Sequence, residues 1–118
     1  MDRAILAEMA SALIDNLEKL LDTPRDGALL RYSLGCEYLK AGNAEQGIQR
    51  LREALERDPD YSAAWKVLGR ALAERGQVDE ARSAYARGIE AARMRGDRQA
   101  EKEMTVFARR LAPKGGGG

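Results

Sequence analysis

Residues 28–61 and 62–95 are one pattern written twice, thirty-four positions apart. Leu34 falls on Leu68, Gly35 on Gly69, Gly42 on Gly76 and Glu56 on Glu90. Similar residues also coincide: Tyr38 with Leu72, Asn43 with Gln77, Glu45 with Asp79, Leu51 with Tyr85 and Leu55 with Ile89. A fixed period of this length marks a stacked repeat array. A single helix cannot bury its own apolar face, so such a chain folds only by stacking neighbours.

Long stretches without Pro or β-branched residues favour helix throughout. Residues 2–22 read as an amphipathic helix whose packed line is Ile5, Met9, Leu13, Leu17, Leu20 and Leu21, stopped by Thr23-Pro24. Asp26 is placed to cap the next helix. Leu30, Leu34, Tyr38 and Ala41 form its apolar line, and Gly42 is its left-handed stop. Asn43 with Gln46 suggests a capping box for the partner helix, which buries Gly47, Ile48, Leu51, Ala54 and Leu55. The second copy repeats this grammar. Asp60 is the expected cap, and Ala64, Trp65, Leu68 and Leu72 face inward. Gly76 is the stop, Gln77 with Glu80 opens the partner helix, and Val78, Ala81, Ala84, Tyr85, Gly88 and Ile89 form its line. Gly96 and Asp97 introduce a last helix, 97–111, with Lys102 and Glu103 where a third copy would need Leu-Gly. Its apolar line is Ala100, Met104, Phe107, Ala108 and Leu111, and it reads as a solvating cap helix. Residues 113–118 read as a flexible tail or linker.

Trp65-Lys66-Val67-Leu68-Gly69 followed by Leu72, Ala81, Tyr85 and Gly88 resembles a tetratricopeptide repeat (TPR). Leu34-Gly35, Tyr38, Gly47, Leu51, Ala54 and Pro59 supply the matching positions of the first copy. The resemblance implies an all-α, right-handed superhelix of antiparallel helix pairs. Six helices are expected in one domain, 1–112: an N-terminal cap helix, 2–22, two TPR units, 28–61 and 62–95, and the C-terminal cap helix. The first helix resembles the second half of a unit whose first half is absent, with Leu13, Leu17 and Leu20 on the positions of Gly47, Leu51 and Ala54. Gly88 stands where the family usually has Ala.

The resemblance also implies a concave groove lined by the first helix of each unit. Carried over position by position, the groove residues are Leu29, Tyr32, Cys36, Leu39 and Lys40 in the first unit. In the second they are Ala63, Lys66, Arg70, Ala73 and Glu74. One half is then apolar with a phenol, and the other carries two cations a helical turn apart. Such a surface suits a peptide that joins an apolar side chain to an acidic or C-terminal carboxylate group. Chaperone-binding members grip a terminal carboxylate with a Lys and Asn set. Here Tyr32 and Cys36 fill the corresponding places of the first unit, which argues against that partner. The alternative is a self-associating structural subunit, a homodimer through the groove or the cap helices, so the chain is expected to be a monomer or a weak homodimer.

Composition narrows the remaining classes. Lys plus Arg is 20 and Asp plus Glu is 19, with no His. Near-neutral charge argues against nucleic acid or an anionic membrane as partner. The Arg87, Arg93, Arg95 and Arg98 run reads as a solvated helix end. No cofactor or metal is expected: there is no imidazole, no Asp-rich loop and no phosphate-binding Gly-rich loop. An enzyme is not expected, since Cys36 has neither a His base nor a resolving thiol and reads as an apolar filler. Trp65 reads as core. No stretch is long and apolar enough to span a bilayer, no secretory leader is seen, and a lone Cys fits a reducing compartment. A cytoplasmic protein is the expectation.

Overall fold

Three glycines with positive φ, Gly42, Gly76 and Gly96, end three helices, the first two at equivalent positions of the repeat. A computed structural model describes residues 2–111 and contains α1 (Arg3–Glu18), α2 (Ala28–Lys40), α3 (Ala44–Arg57), α4 (Ser62–Glu74), α5 (Val78–Arg95) and α6 (Arg98–Arg110). No strand occurs among the described residues. The stretch expected to be a tail, 113–118, lies outside them. The chain divides into two compact units, one ending at Asp58 and the other beginning at Pro59.

Each glycine stop works the same way. The amide after the glycine reaches back across the helix end: Asn43 N to Tyr38 O at 2.9 Å, Gln77 N to Leu72 O at 2.9 Å and Asp97 N to Ala92 O at 2.8 Å. That bond satisfies a terminal carbonyl and requires the left-handed residue in between. Asn43 and Asp97 then cap the following helices, accepting from Gln46 N at 3.3 Å and Ala100 N at 3.1 Å.

Four local expectations need correction. The first helix ends at Glu18, not residue 22. Lys19–Asp22 curl into turns, with Asp22 at φ 60, while Leu17, Leu20 and Leu21 pack against Ile14, Leu30 and Leu34. Asp26 does not cap α2; the N-cap is Gly27, without a side-chain bond. Nor does Asp60 cap α4, whose N-cap is Tyr61. Gln77 makes no cap bond either; its Nε2 donates to Glu80 instead, at 3.4 Å.

In unit 1, α2 and α3 pair at the closest possible range. A Cβ on Gly35 would lie 2.7 Å from Leu51 Cγ, and one on Gly47 would lie 2.8 Å from the end of Leu39. In unit 2, Gly69 lies beneath the Tyr85 ring in the α4–α5 pair. α6 then packs on α5. Met104 is fully buried, and a Cβ on Gly88 would meet its Sδ at 2.4 Å and Trp65 Cβ at 2.7 Å. Gly88 therefore gives up helix propensity to let Met104 in. Ala100 and Met104, the first two residues of the apolar line expected for α6, belong to the core of this unit.

Candidate functional site

The first-helix residues named above are best located unit by unit. On α2, Leu29 and Lys40 are exposed, and Tyr32, Cys36 and Leu39 are half-buried. Leu39 directs its branched end at Gly47, so it fills the α2–α3 seam. Lys40 pairs with Glu37, one turn back, at 3.2 Å. What remains outward on this helix is an apolar run from Leu29 through Tyr32 to Cys36.

On α4, Ala63, Lys66 and Ala73 are half-buried, and Arg70 and Glu74 are exposed. Lys66 Nζ donates to Glu103 Oε2 of α6 at 3.4 Å. Arg70, one turn further along, has no ion pair among the described residues. The structure thus brings a cation of α4 onto a carboxylate supplied by the end helix. In the sequence Glu103 stands out only as a residue that breaks a third repeat.

Trp65 is core, as its repeat position implies. Its Nε1 donates to Pro59 O at 2.7 Å, which fastens the turn before α4, and the Arg87 guanidinium lies over its ring at 4.5 Å. Unit 1 holds something the sequence reading missed. Arg31 is only 7% exposed. Its Nε donates to Asp26 Oδ1 at 3.0 Å, its Nη2 to Asp26 Oδ2 at 2.6 Å, and its Nη1 to Glu53 Oε1 at 2.6 Å. Arg50 bridges Glu53 at 2.8 Å and Glu18 at 3.2 Å, and the Tyr38 hydroxyl donates to Glu18 at 2.7 Å. This network ties the end of α1, the loop and α3 to α2.

Its electrostatics follow from that geometry. The Arg31 hydrogen bonds, with the Asp22 amide behind them, hold Asp26 down to about 2, against the opposing effect of burial. Burial alone would raise Glu53; bonds from Arg50, Gln49 and Arg31 overcome it and leave the carboxyl at about 2. Tyr38 is pushed up, first by its bond to the Glu18 carboxylate and then by burial. These are charges locked in pairs to hold a helix, not groups poised for proton transfer. No cluster of three or more metal-ligating side chains is found among the described residues, and no helix there is long and apolar enough to cross a membrane.

Comparison with known proteins gives one consistent result. The family model for the tetratricopeptide repeat matches residues 32–96. A TPR repeat-containing protein of Pseudomonas aeruginosa is 50% identical over 99 residues, covering 84% of this chain and 94% of its own. The solution structure of a protein from Bordetella parapertussis superimposes with a TM-score of 0.72 at 43% identity, covering 84% of this chain and 86% of that one. A tetratricopeptide repeat domain protein from Salinibacter ruber gives a TM-score of 0.70 at 32% identity, covering 77% and 91%.

Proposed function

As the chain belongs to the tetratricopeptide repeat family, we propose that it is a non-enzymatic, cytoplasmic protein-interaction module whose first-helix faces receive a peptide segment. The carboxylate-binding role of α4 rests on one observation: Lys66 already holds a carboxylate, that of Glu103. A peptide acid of similar geometry can replace Glu103, with Arg70 free to add a second charge-assisted hydrogen bond. In unit 1, Leu29, Tyr32 and Cys36 offer an apolar face for a side chain of the same or another segment. Both partners of the Lys66–Glu103 pair are about one-third exposed. Such a pair contributes less than about 1 kcal/mol, so exchanging it for another acid costs little.

The test uses fluorescein-labelled peptides ending in Leu-Glu-Asp, with either a free or an amidated terminus, and fluorescence anisotropy. The free acid is expected to bind more tightly. Lys66→Glu with Arg70→Glu is expected to weaken it at least tenfold with the helical circular dichroism unchanged. Glu103→Gln is expected to strengthen it severalfold. Equal affinity for wild type and the double variant would remove α4 from the reading.

A further inference from the structure

Ile5, Met9 and Leu13 of α1, expected in the packed line, are exposed instead, and the buried residue of that helix is Ile14. The charged surface of unit 2 says more about a partner. The near-zero net charge of the chain is an average over two unlike units. Unit 1 carries eight Lys and Arg against eleven Asp and Glu, and unit 2 carries twelve against eight. Six of those twelve cations lie between Arg93 and Arg110.

The arginines expected to form a solvated helix end take up different roles. Arg87 lies over the Trp65 ring at 4.5 Å. Arg93 Nε donates to Glu101 Oε2 at 2.8 Å, and its Nη1 donates to Glu90 Oε1 at 2.9 Å. Arg98 is exposed and has no ion pair among the described residues, and the same holds for Lys102, one turn further along α6. An open cleft of about 510 Å³ at the α5–α6 turn gathers Arg93, Gly96, Arg98, Glu101 and Lys102. Three cations therefore share this cleft with one carboxylate, and that carboxylate is already held by Arg93. Asp97 caps the start of α6, so the excess positive charge comes from the side chains.

We propose that this cleft holds an acidic segment of a partner protein, two of whose carboxylates pair with Arg98 and Lys102. Residues four apart on a helix are neighbours on one face, with roughly 5–6 Å between Cβ atoms, which suits two acidic side chains of one segment. The guanidinium fork takes one carboxylate bidentately, and the ammonium takes the other as a point charge. The lining disfavours other anions. It has no aromatic ring on which a base could stack. Glu101 stands among the cations, where a peptide can place a neutral residue but a continuous phosphate chain cannot. Nor does the lining offer an apolar side chain for insertion into a lipid surface. The cleft shares no residue with the α2 and α4 faces.

The full chain is titrated with a fluorescein-labelled peptide, Gly-Ser-Asp-Gly-Asp-Gly-Ser, amidated so that it lacks a terminal carboxylate, and with its Asn counterpart. The Asp peptide is expected to bind about tenfold more tightly. Raising salt from about 50 mM to about 300 mM is expected to weaken it severalfold. Arg98→Glu with Lys102→Glu is expected to abolish the preference for Asp with the helical circular dichroism unchanged, since neither side chain has an ion pair to lose. Glu101→Gln is expected to strengthen binding severalfold. Lys66→Glu with Arg70→Glu is expected to leave the affinity within about threefold, because those charges lie on a different helix. Equal affinity for the Asp and Asn peptides, or equal affinity of the wild type and the Arg98 and Lys102 variant, overturns the proposal. So does tighter binding of an oligouridine or of phosphatidylserine vesicles. Self-association in sedimentation velocity that the Arg98 and Lys102 variant abolishes also overturns it, because a second copy would then be the occupant.

Discussion

The two units hold the same place in the repeat by opposite chemistry. Arg31 and Trp65 are equivalent positions, as are Glu53 and Arg87. In unit 1 the first position is a buried guanidinium clamped by Asp26 and Glu53. In unit 2 it is a buried indole, bonded to Pro59 O and covered by Arg87. Both join the first helix to the preceding turn and to the second helix. The repeat thus demands a connection at this point, not a residue type. The ionic version depends on every partner being present, because a buried charge without its counter-charge is costly. The aromatic version depends mainly on filled volume.

The largest expected effects test that difference directly. Arg31→Met takes from Asp26 both of its guanidinium bonds and leaves Glu53 to Arg50 and Gln49; it is expected to destabilise by about 3–5 kcal/mol. Trp65→Ala is expected to cost a similar 3–5 kcal/mol through lost volume. The partners separate the two designs: Glu53→Gln should cost several times more than Arg87→Ala, since a cation over an aromatic face at an exposed site contributes only about 0.5–1 kcal/mol. Urea denaturation followed by circular dichroism measures all four. The sole tryptophan, Trp65, makes fluorescence a separate reporter for unit 2. Equal costs for Glu53→Gln and Arg87→Ala would erase the contrast.

Acid sharpens it next. Asp26 and Glu53 have folded pKa values of about 2, below their ordinary 3.8 and 4.5. Their contribution is fully present above about pH 5 and is lost as pH falls from there through 2. This withdraws on the order of 2–3 kcal/mol per carboxyl from unit 1. Trp65 is held by Pro59 O and Arg87, neither of which titrates in this range, so the circular dichroism transition should shift more between pH 5 and pH 2.5 than the tryptophan transition. A larger fluorescence shift would contradict the assignment.

A third pair concerns the second helices. Ala54 and Gly88 are equivalent. Ala54→Gly should cost about 1 kcal/mol of helix propensity. Gly88→Ala, despite its better propensity, should cost about 1–3 kcal/mol because Met104 and Trp65 must move. A stabilised Gly88→Ala variant would show that α6 yields easily. The smallest effect is at a helix start. Asn43 caps α3, whereas Gln77 makes no cap bond to α5. Gln77→Asn is expected to raise the thermal midpoint modestly, by about 0.5 kcal/mol of added stability.

The helices, the glycine stops and the Asn43 and Asp97 caps were legible in the sequence, because each depends on residues within one turn of one another. Arg31 was not. It stands five residues after Asp26 and twenty-two before Glu53, and a lone arginine in a helix looks like a surface residue until both partners are placed. Asp26 misled for the same reason, since an acidic residue before a helix resembles a cap. A sharper signal was present: repeat positions that change together, Arg31 with Glu53 and Trp65 with Arg87. The first-helix faces were legible as a list of positions but not as orientations. The family pattern put Leu39 among the groove residues, while the glycine opposite draws it into the seam. Lys66 was legible as a cation of the first helix, but its Glu103 partner comes from a helix outside the repeat.

The Leu39–Gly47 contact constrains how this hairpin can drift over generations. Unit 2 has Ala73 and Ala81 at the same two places, so both solutions exist within one molecule. Passing from the first to the second has a preferred order. Leucine must shrink before glycine can grow, since the reverse step puts a methyl group 2.8 Å from the leucine end. Even then the carbonyl of Gly35, 3.0 Å from that methyl, has to give way slightly. The seam therefore behaves like a ratchet in its ancestry, open to change in one sequence of steps and closed in the other.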